Sequence, residues 1–104
     1  MGSNKLPDWF RASSQVAMLG EISPHVRMVV ASLSEQGASV LRFYLDREPT
    51  DDDKEQAAIV GVNLSSTVSR ERLSSLREEC VVGTGPLGKL DTLDGVLFVR
   101  MESN

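Results

Sequence analysis

Hydrophobic positions near the start of the chain follow a helical period. Four apolar residues recur at intervals of three to four positions: Trp9, Ala12, Val16 and Leu19. This spacing is typical of an amphipathic helix and predicts one over residues 7–20. Gly20 and the following Ser23-Pro24 pair predict where it ends, because glycine favours a helix C-terminus and the residue before a proline disfavours helix.

The next two apolar segments predict a β-hairpin. Residues 25–33 are mostly β-branched or apolar, and residues 38–46 alternate between two kinds of side chain. In the second segment one face holds Leu41, Phe43 and Leu45, and the other holds Val40, Arg42 and Tyr44. The turn at Gln36-Gly37 joins the two strands, so they are expected to pair with each other.

A second helix is predicted to begin after Thr50. Thr50 is a favoured N-cap residue, and Asp53 stands three positions later, as in a capping box. The apolar stripe of this helix extends to about residue 69 and consists of Ala57, Val60, Gly61, Leu64 and Val68. Residues 70–79 are strongly charged and are interpreted as an extension of the helix after a break.

Two short strands, at residues 80–82 and 95–101, are expected to complete a sheet, with a loop at 83–94 between them. The elements then follow the order α-β-β-α-β-β without repeats. We therefore predict a single α+β domain over residues 1–104: an antiparallel β-sheet with helices packed on one face. Residues 1–5 are expected to be disordered.

The charge balance of the chain is acidic. Eleven Lys and Arg residues against fifteen Asp and Glu residues give a formal net charge of −4. Nucleic acids and anionic membranes require a basic surface, so neither is expected as a partner. The chain contains no apolar segment long enough to span a membrane and no signal-peptide core, which predicts a cytoplasmic protein.

Residues 83–89, GTGPLGK, match the first seven positions of a phosphate-binding loop. The eighth position is Leu90, where a serine or threonine would bind magnesium, and Pro86 lacks an amide that the phosphate would use. We interpret this segment as a connection between two strands and not as an ATP site.

An enzyme that uses His25, Cys80 or a carboxylate remains an alternative. His25 is the only histidine and Cys80 the only cysteine, so an internal disulfide and a spaced Cys/His metal site are both excluded. Cys80 stands beside Val81 and Val82, where a free cysteine usually packs as a small hydrophobic residue. No catalytic residue, metal or cofactor is therefore predicted.

Carboxylates are concentrated in one short segment, and they are the candidate partner-binding residues. Six lie within ten positions: Asp46, Glu48, Asp51, Asp52, Asp53 and Glu55. Helix capping accounts for some of them, since acids favour a helix N-terminus. The surplus predicts a negative field that would orient a basic protein surface. Four further acids are a candidate extension of it: Glu78, Glu79, Asp91 and Asp94.

Three segments carry a resemblance to a known group of proteins. They are residues 19–27, 41–53 and 90–100, which read LGEISPHVR, LRFYLDREPTDDD and LDTLDGVLFVR. They resemble small bacterial immunity proteins of contact-dependent growth inhibition and related polymorphic toxin systems, over about residues 18–102. The resemblance implies a non-enzymatic cytoplasmic protein that binds the C-terminal domain of a cognate toxin, often a nuclease, and blocks it.

Two functions of different classes are thus predicted. The first is an immunity protein that binds a toxin domain through its acidic surface. The alternative is a small regulatory or structural module without a toxin partner, which forms a homodimer through the exposed edge of the apolar strand at 96–101.

Overall fold

Two helices and four strands make up the fold. The structure is a computed structural model, and it describes residues 5–102. Its elements are α1 (Asp8–Met18), β1 (Val26–Leu33), β2 (Ala38–Leu45), α2 (Asp51–Thr67), β3 (Ser75–Val82) and β4 (Gly95–Val99). A 3₁₀ helix at Leu87–Lys89 stands between β3 and β4, so the predicted element order omitted one short helix. Residues 1–4 of the segment expected to be disordered lie outside the described residues.

The four strands form one mixed sheet in the order β3-β2-β1-β4. β1 pairs antiparallel with β2 and with β4, whereas β2 and β3 are parallel. The expectation of an antiparallel sheet is therefore wrong. The reason is α2, which carries the chain from the end of β2 back along the sheet, so that β3 starts beside the start of β2 and runs in the same direction.

The charged segment 70–79 does not extend α2. The helix ends at Thr67, and after a short turn residues 75–79 form the first half of β3, where Ser75 lies opposite Ala38. Alternating side chains explain the difference. Leu76 and Cys80 pack against the main core, and Glu78 between them lies beside Gly61 of α2. Arg77 and Glu79 lie on the opposite face of this edge strand, which is partly open to water.

The β1–β2 hairpin is confirmed. Val29 lies opposite Phe43 and Leu33 opposite Ser39, and the Ser34 and Gly37 backbones form the turn. The predicted alternation of β2 is also confirmed. Leu41, Phe43 and Leu45 belong to the core beneath the helices, whereas Tyr44 belongs to a second cluster on the opposite face.

The buried face of α1 differs from the predicted one. Its buried residues are Phe10, Ser14, Ala17 and Met18, whereas Ala12, Val16 and Leu19 are exposed. Trp9 is half-buried, with its ring edge-on to Phe10 at 5.7 Å between centroids. Apolar side chains occur on both faces of this helix, so their spacing alone could not show which face is buried.

The two helices lie on the same face of the sheet, as predicted. Ala57, Val60 and Leu64 of α2 pack with the buried residues of α1 and of the central strands. Residues 83–94 cover part of the other face, where leucines of this segment pack on Met28 and Tyr44. The phosphate-loop-like sequence therefore connects two strands, as interpreted from the sequence, and the structure shows that Leu87 within it also packs on the sheet.

Candidate partner-binding surface

The net charge of the chain is concentrated between β2 and the first turns of α2. Residues 46–55 hold six of the fifteen carboxylates and two of the eleven Lys and Arg residues, so this segment alone accounts for the net charge of −4. The segment is short because Pro49 ends the strand pairing and Thr50 starts the helix directly afterwards. All six predicted carboxylates therefore lie at one end of the fold.

Asp46 is neutralised within the fold. Its carboxylate accepts hydrogen bonds from Arg100 Nη1 at 2.8 Å and from the His25 ring at 3.1 Å. The Arg100 hydrogen bond is the main reason why the pKa of Asp46 lies below its usual value. This acid connects the end of β2 to the residues that follow β4, and it adds little negative field at the surface.

Asp53 is also used internally. The predicted capping box is confirmed: Asp53 N donates to Thr50 Oγ1 at 3.2 Å, and Thr50 N donates to Asp53 Oδ2 at 2.8 Å. Arg47 Nη1 donates to the same carboxylate at 2.6 Å. The side chain is only 7% exposed, and the Arg47 bond is the largest cause that lowers its pKa to about 2.

The Asp53 pair predicts a specific pH dependence of stability. Because the pKa is about 2 in the folded chain and 3.8 ordinarily, the folded state binds this proton less readily than the unfolded state. The stabilisation is therefore complete above a pH of about 4 and is lost as the pH falls to about 2. In Asp53→Asn, we expect the free energy of unfolding, measured by urea titration, to vary less with pH in this range.

Asp52→Asn is the matched control for that experiment. It removes the same charge from the same helical turn and leaves the Arg47–Asp53 pair intact. An equal change of pH dependence in both variants would contradict the assigned role of the pair.

The other four predicted carboxylates form an exposed group, which we call the acidic surface: Glu48, Asp51, Asp52 and Glu55. Within residues 5–102, none of the four has a side-chain ion pair. Three of them lie in the first two turns of α2, where the positive end of the helix dipole stabilises their charge. Their field is therefore directed outward and is available to a partner.

The candidate extension of this surface is mostly occupied by internal bonds. Glu79 pairs with Arg42 at 2.5 Å, and Asp94 Oδ2 accepts the Leu33 amide at 2.9 Å. Asp91 Oδ1 similarly accepts the Leu93 amide. Glu78 lies against Gly61 of α2, and burial raises its pKa. The bonds of Glu79, Asp94 and Asp91 thus stabilise the fold, whereas burial disfavours the charged form of Glu78. We do not count any of the four in the acidic surface.

An ionic cluster behind Asp46 was not predicted from the sequence. Arg27 of β1 is 8% exposed and donates to both carboxylate oxygens of Glu102 at 2.9 Å and to the Gly83 carbonyl at 2.5 Å. Arg100 donates to the same carboxylate, and the hydrogen bond from Arg27 is the main cause that lowers the pKa of Glu102 to about 2. The only available signal was an arginine inside an apolar strand, a residue type rarely buried without a partner.

The two side chains considered for nucleophilic catalysis have different partners. His25 hydrogen-bonds to Asp46, whereas the Cys80 thiol is directed at the Asp53 carbonyl at 3.8 Å. Burial is the largest cause that raises the pKa of Cys80, which opposes the thiolate form that a nucleophile needs. The cavity beside Cys80 has a volume of about 10 Å³. It holds at most one water molecule and no substrate.

The described residues contain neither a group of metal-ligating side chains nor a membrane-spanning helix. Among residues 5–102, no three His, Cys, Asp or Glu side chains are grouped so that they could hold a metal ion. Within the same residues, no helix combines the length and the apolar character needed to cross a membrane.

A small α+β fold that presents four exposed carboxylates without ion pairs on one surface has features typical of a protein that binds another protein. The family model of the MafI2 immunity proteins matches residues 7–102, so the chain belongs to the MafI2 immunity protein family. No curated protein matches the chain.

The family match confirms the resemblance to immunity proteins of polymorphic toxin systems. It indicates a toxin-neutralising function with a cognate toxin as the protein partner. Immunity proteins are generally non-enzymatic.

Proposed function

We propose that this chain neutralises its cognate toxin by binding the toxin's C-terminal domain through the acidic surface, without catalysing a reaction. The observation that carries the proposal is the group of four exposed carboxylates with no internal ion pair. Asp46 and Asp53, which are also predicted to contact the partner, make internal bonds to Arg100 and Arg47, and we propose that they mainly hold the segment in place.

A nuclease is the toxin activity that fits this surface best. A nuclease binds the phosphates of its substrate with a basic cleft, and carboxylates can occupy the same positions. A protein that does so competes directly with the nucleic acid. The complex would form in the cytoplasm, where the toxin would meet both its substrate and this chain.

Homodimerisation through the edge of β4 has less support than toxin binding. Gln15 Nε2 of α1 donates to the Leu97 carbonyl of β4 at 2.6 Å. That carbonyl is therefore not free to pair with a strand of a second copy. Light scattering over a range of concentrations tests this alternative directly. A dimer that forms at high concentration, and forms at lower concentration in Gln15→Ala, would support it.

We expect removal of the acidic surface to weaken toxin binding. The variant is Glu48→Gln, Asp51→Asn, Asp52→Asn and Glu55→Gln. Exposed charges contribute modestly to affinity and strongly to association. We therefore expect Kd to rise about 10- to 100-fold at low salt, mainly through slower association, and the salt dependence of binding to decrease. The measurement is surface plasmon resonance against a catalytically inactivated form of the cognate toxin's C-terminal domain.

A second variant removes four exposed acids elsewhere on the fold: Asp8→Asn, Glu35→Gln, Glu71→Gln and Asp91→Asn. It has the same net charge as the first variant. It therefore distinguishes the loss of the acidic surface from the change in the overall charge of the protein. Equal weakening by both variants would rule out the acidic surface as the binding site. No binding by the parent chain would overturn the proposed function itself.

A further inference from the structure

Exposed aliphatic side chains are concentrated on the outer surface of the two helices. Within residues 5–102, six large hydrophobic residues are exposed, and four of them lie on or directly after the helices: Val16 (63%), Leu19 (75%), Ile59 (41%) and Val62 (65%). Single exposed apolar residues are ordinary, whereas a group of them on one surface indicates an interaction site.

α1 and α2 pack against each other along one seam, and their outer surfaces carry these exposed side chains. α1 and α2 run antiparallel, since Trp9 and Ser13 at the start of α1 lie beside Thr67 and Val68 at the end of α2. Farther along the seam, Asn63 Nδ2 donates to the Ala17 carbonyl at 3.2 Å. Val16 directly precedes Ala17, and Val62 directly precedes Asn63. Consecutive helix residues point about 100° apart, so both exposed valines lie on the outer side of this contact, and Val62 borders the groove between α2 and the start of β3.

The apolar group continues directly into the acidic surface. Asp52, Glu55, Ile59 and Val62 follow one another at intervals of three, four and three residues, and all four are exposed. Residues with this spacing share one face of a helix. The outer face of α2 is thus acidic in its first half and apolar in its second half.

We infer that the outer surface of α1 and α2 is the docking face for the toxin domain, with Val16, Leu19, Ile59 and Val62 at its centre and Asp52 and Glu55 at its rim. The inference rests on the proposed function and specifies the surface. The charge pattern defines the partner as a protein domain that has an apolar patch bordered by lysine or arginine side chains on one side.

The two parts of this face have different roles in binding. Exposed ion pairs are screened by salt and add little affinity, so the carboxylates mainly accelerate encounter with the basic rim. A long-lived complex requires apolar side chains that lose their contact with water at the centre of the interface. Val16 and Val62 are the residues placed to supply this contact.

The test replaces one exposed valine on the outer surface of each helix by glutamine, as Val16→Gln with Val62→Gln, which we call the seam variant. Glutamine is neutral and favours helix more than valine does, so the variant is expected to fold. The matched control replaces the two exposed hydrophobic residues outside the helices, as Val99→Gln with Met101→Gln. Kd and both rate constants for the inactive toxin domain are measured at about 0.05 M and about 0.5 M salt.

We expect the seam variant to raise Kd at least tenfold at both salt concentrations, through faster dissociation, while the control variant binds like the parent.

Parent-like binding of the seam variant would overturn the docking face. If the acidic-surface variant were weakened at the same time, the proposed function would still stand. Loss of binding in the control variant alone would place the interface at β4 instead. If the parent chain forms a dimer and the seam variant is a monomer, this face binds a second copy of the chain, and the inference is also overturned.

Discussion

Replacing Phe10 by alanine is expected to lower the free energy of unfolding by about 3–5 kcal/mol. Phe10 is fully buried and belongs to the core cluster that joins both helices to the sheet. A domain of this size is typically stable by about 5–15 kcal/mol, so the variant loses a large part of its stability. Urea titration followed by circular dichroism measures the loss as a lower midpoint with an unchanged slope.

Val16→Ala on the same helix is the control for this experiment. Val16 is 63% exposed, so its truncation is expected to change stability by less than about 0.5 kcal/mol. The two variants together distinguish the observed buried face of α1 from the one predicted by spacing. A larger loss in Val16→Ala than in Phe10→Ala would show that the predicted face is the buried one.

The error in α1 shows the limit of periodicity as a signal. The helix and its approximate bounds could be predicted, because both apolar faces repeat with the helical period. The choice between faces depends on which side chains meet the sheet. If the docking face is correct, Val16 and Leu19 are apolar because they contact a partner. The prediction of the buried face then took partner-binding residues for core residues.

The direction of β3 depends on contacts between distant segments. The hairpin was predictable because its turn is local, whereas residues 70–79 carry no local signal that separates a charged helix from an edge strand. β3 forms because Leu76 and Cys80 can pack against the core while Arg77 and Glu79 remain accessible on the other face of the edge strand. Only the position of α2 across the sheet makes this strand parallel to β2.

The candidate surface was predictable as a segment but not residue by residue. The sequence identified all six carboxylates and the Thr50–Asp53 capping box. It could not show that Arg100, 54 residues from Asp46, neutralises that acid. Ion pairs between distant residues carry no sequence signal in a single chain, so the four unpaired acids became distinguishable only in the folded structure.

Replacing Gly37 by alanine is expected to cost about 3 kcal/mol of stability. Gly37 closes the hairpin turn with a φ of +86°, which L-residues rarely adopt. A Cβ atom there would lie 2.9 Å from the Arg72 carbonyl oxygen and 3.0 Å from the Ser74 amide nitrogen. Both are backbone atoms, and the Ser74 amide donates to the Gly37 carbonyl at 2.9 Å. The clash therefore cannot be relieved by rotating a side chain.

Gly20→Ala separates the two causes of that loss. Gly20 has a similar φ of +76°, but no atom lies within 4 Å of its Cβ position, so its replacement is expected to cost only the conformational penalty of about 1 kcal/mol. The difference of about 2 kcal/mol between the variants, measured by urea titration, is the contribution of the close contact between the hairpin turn and residues 72–74. This contact fixes the point at which the chain enters β3, with Ser75 opposite Ala38. Equal losses in the two variants would show that the close contact contributes nothing to stability.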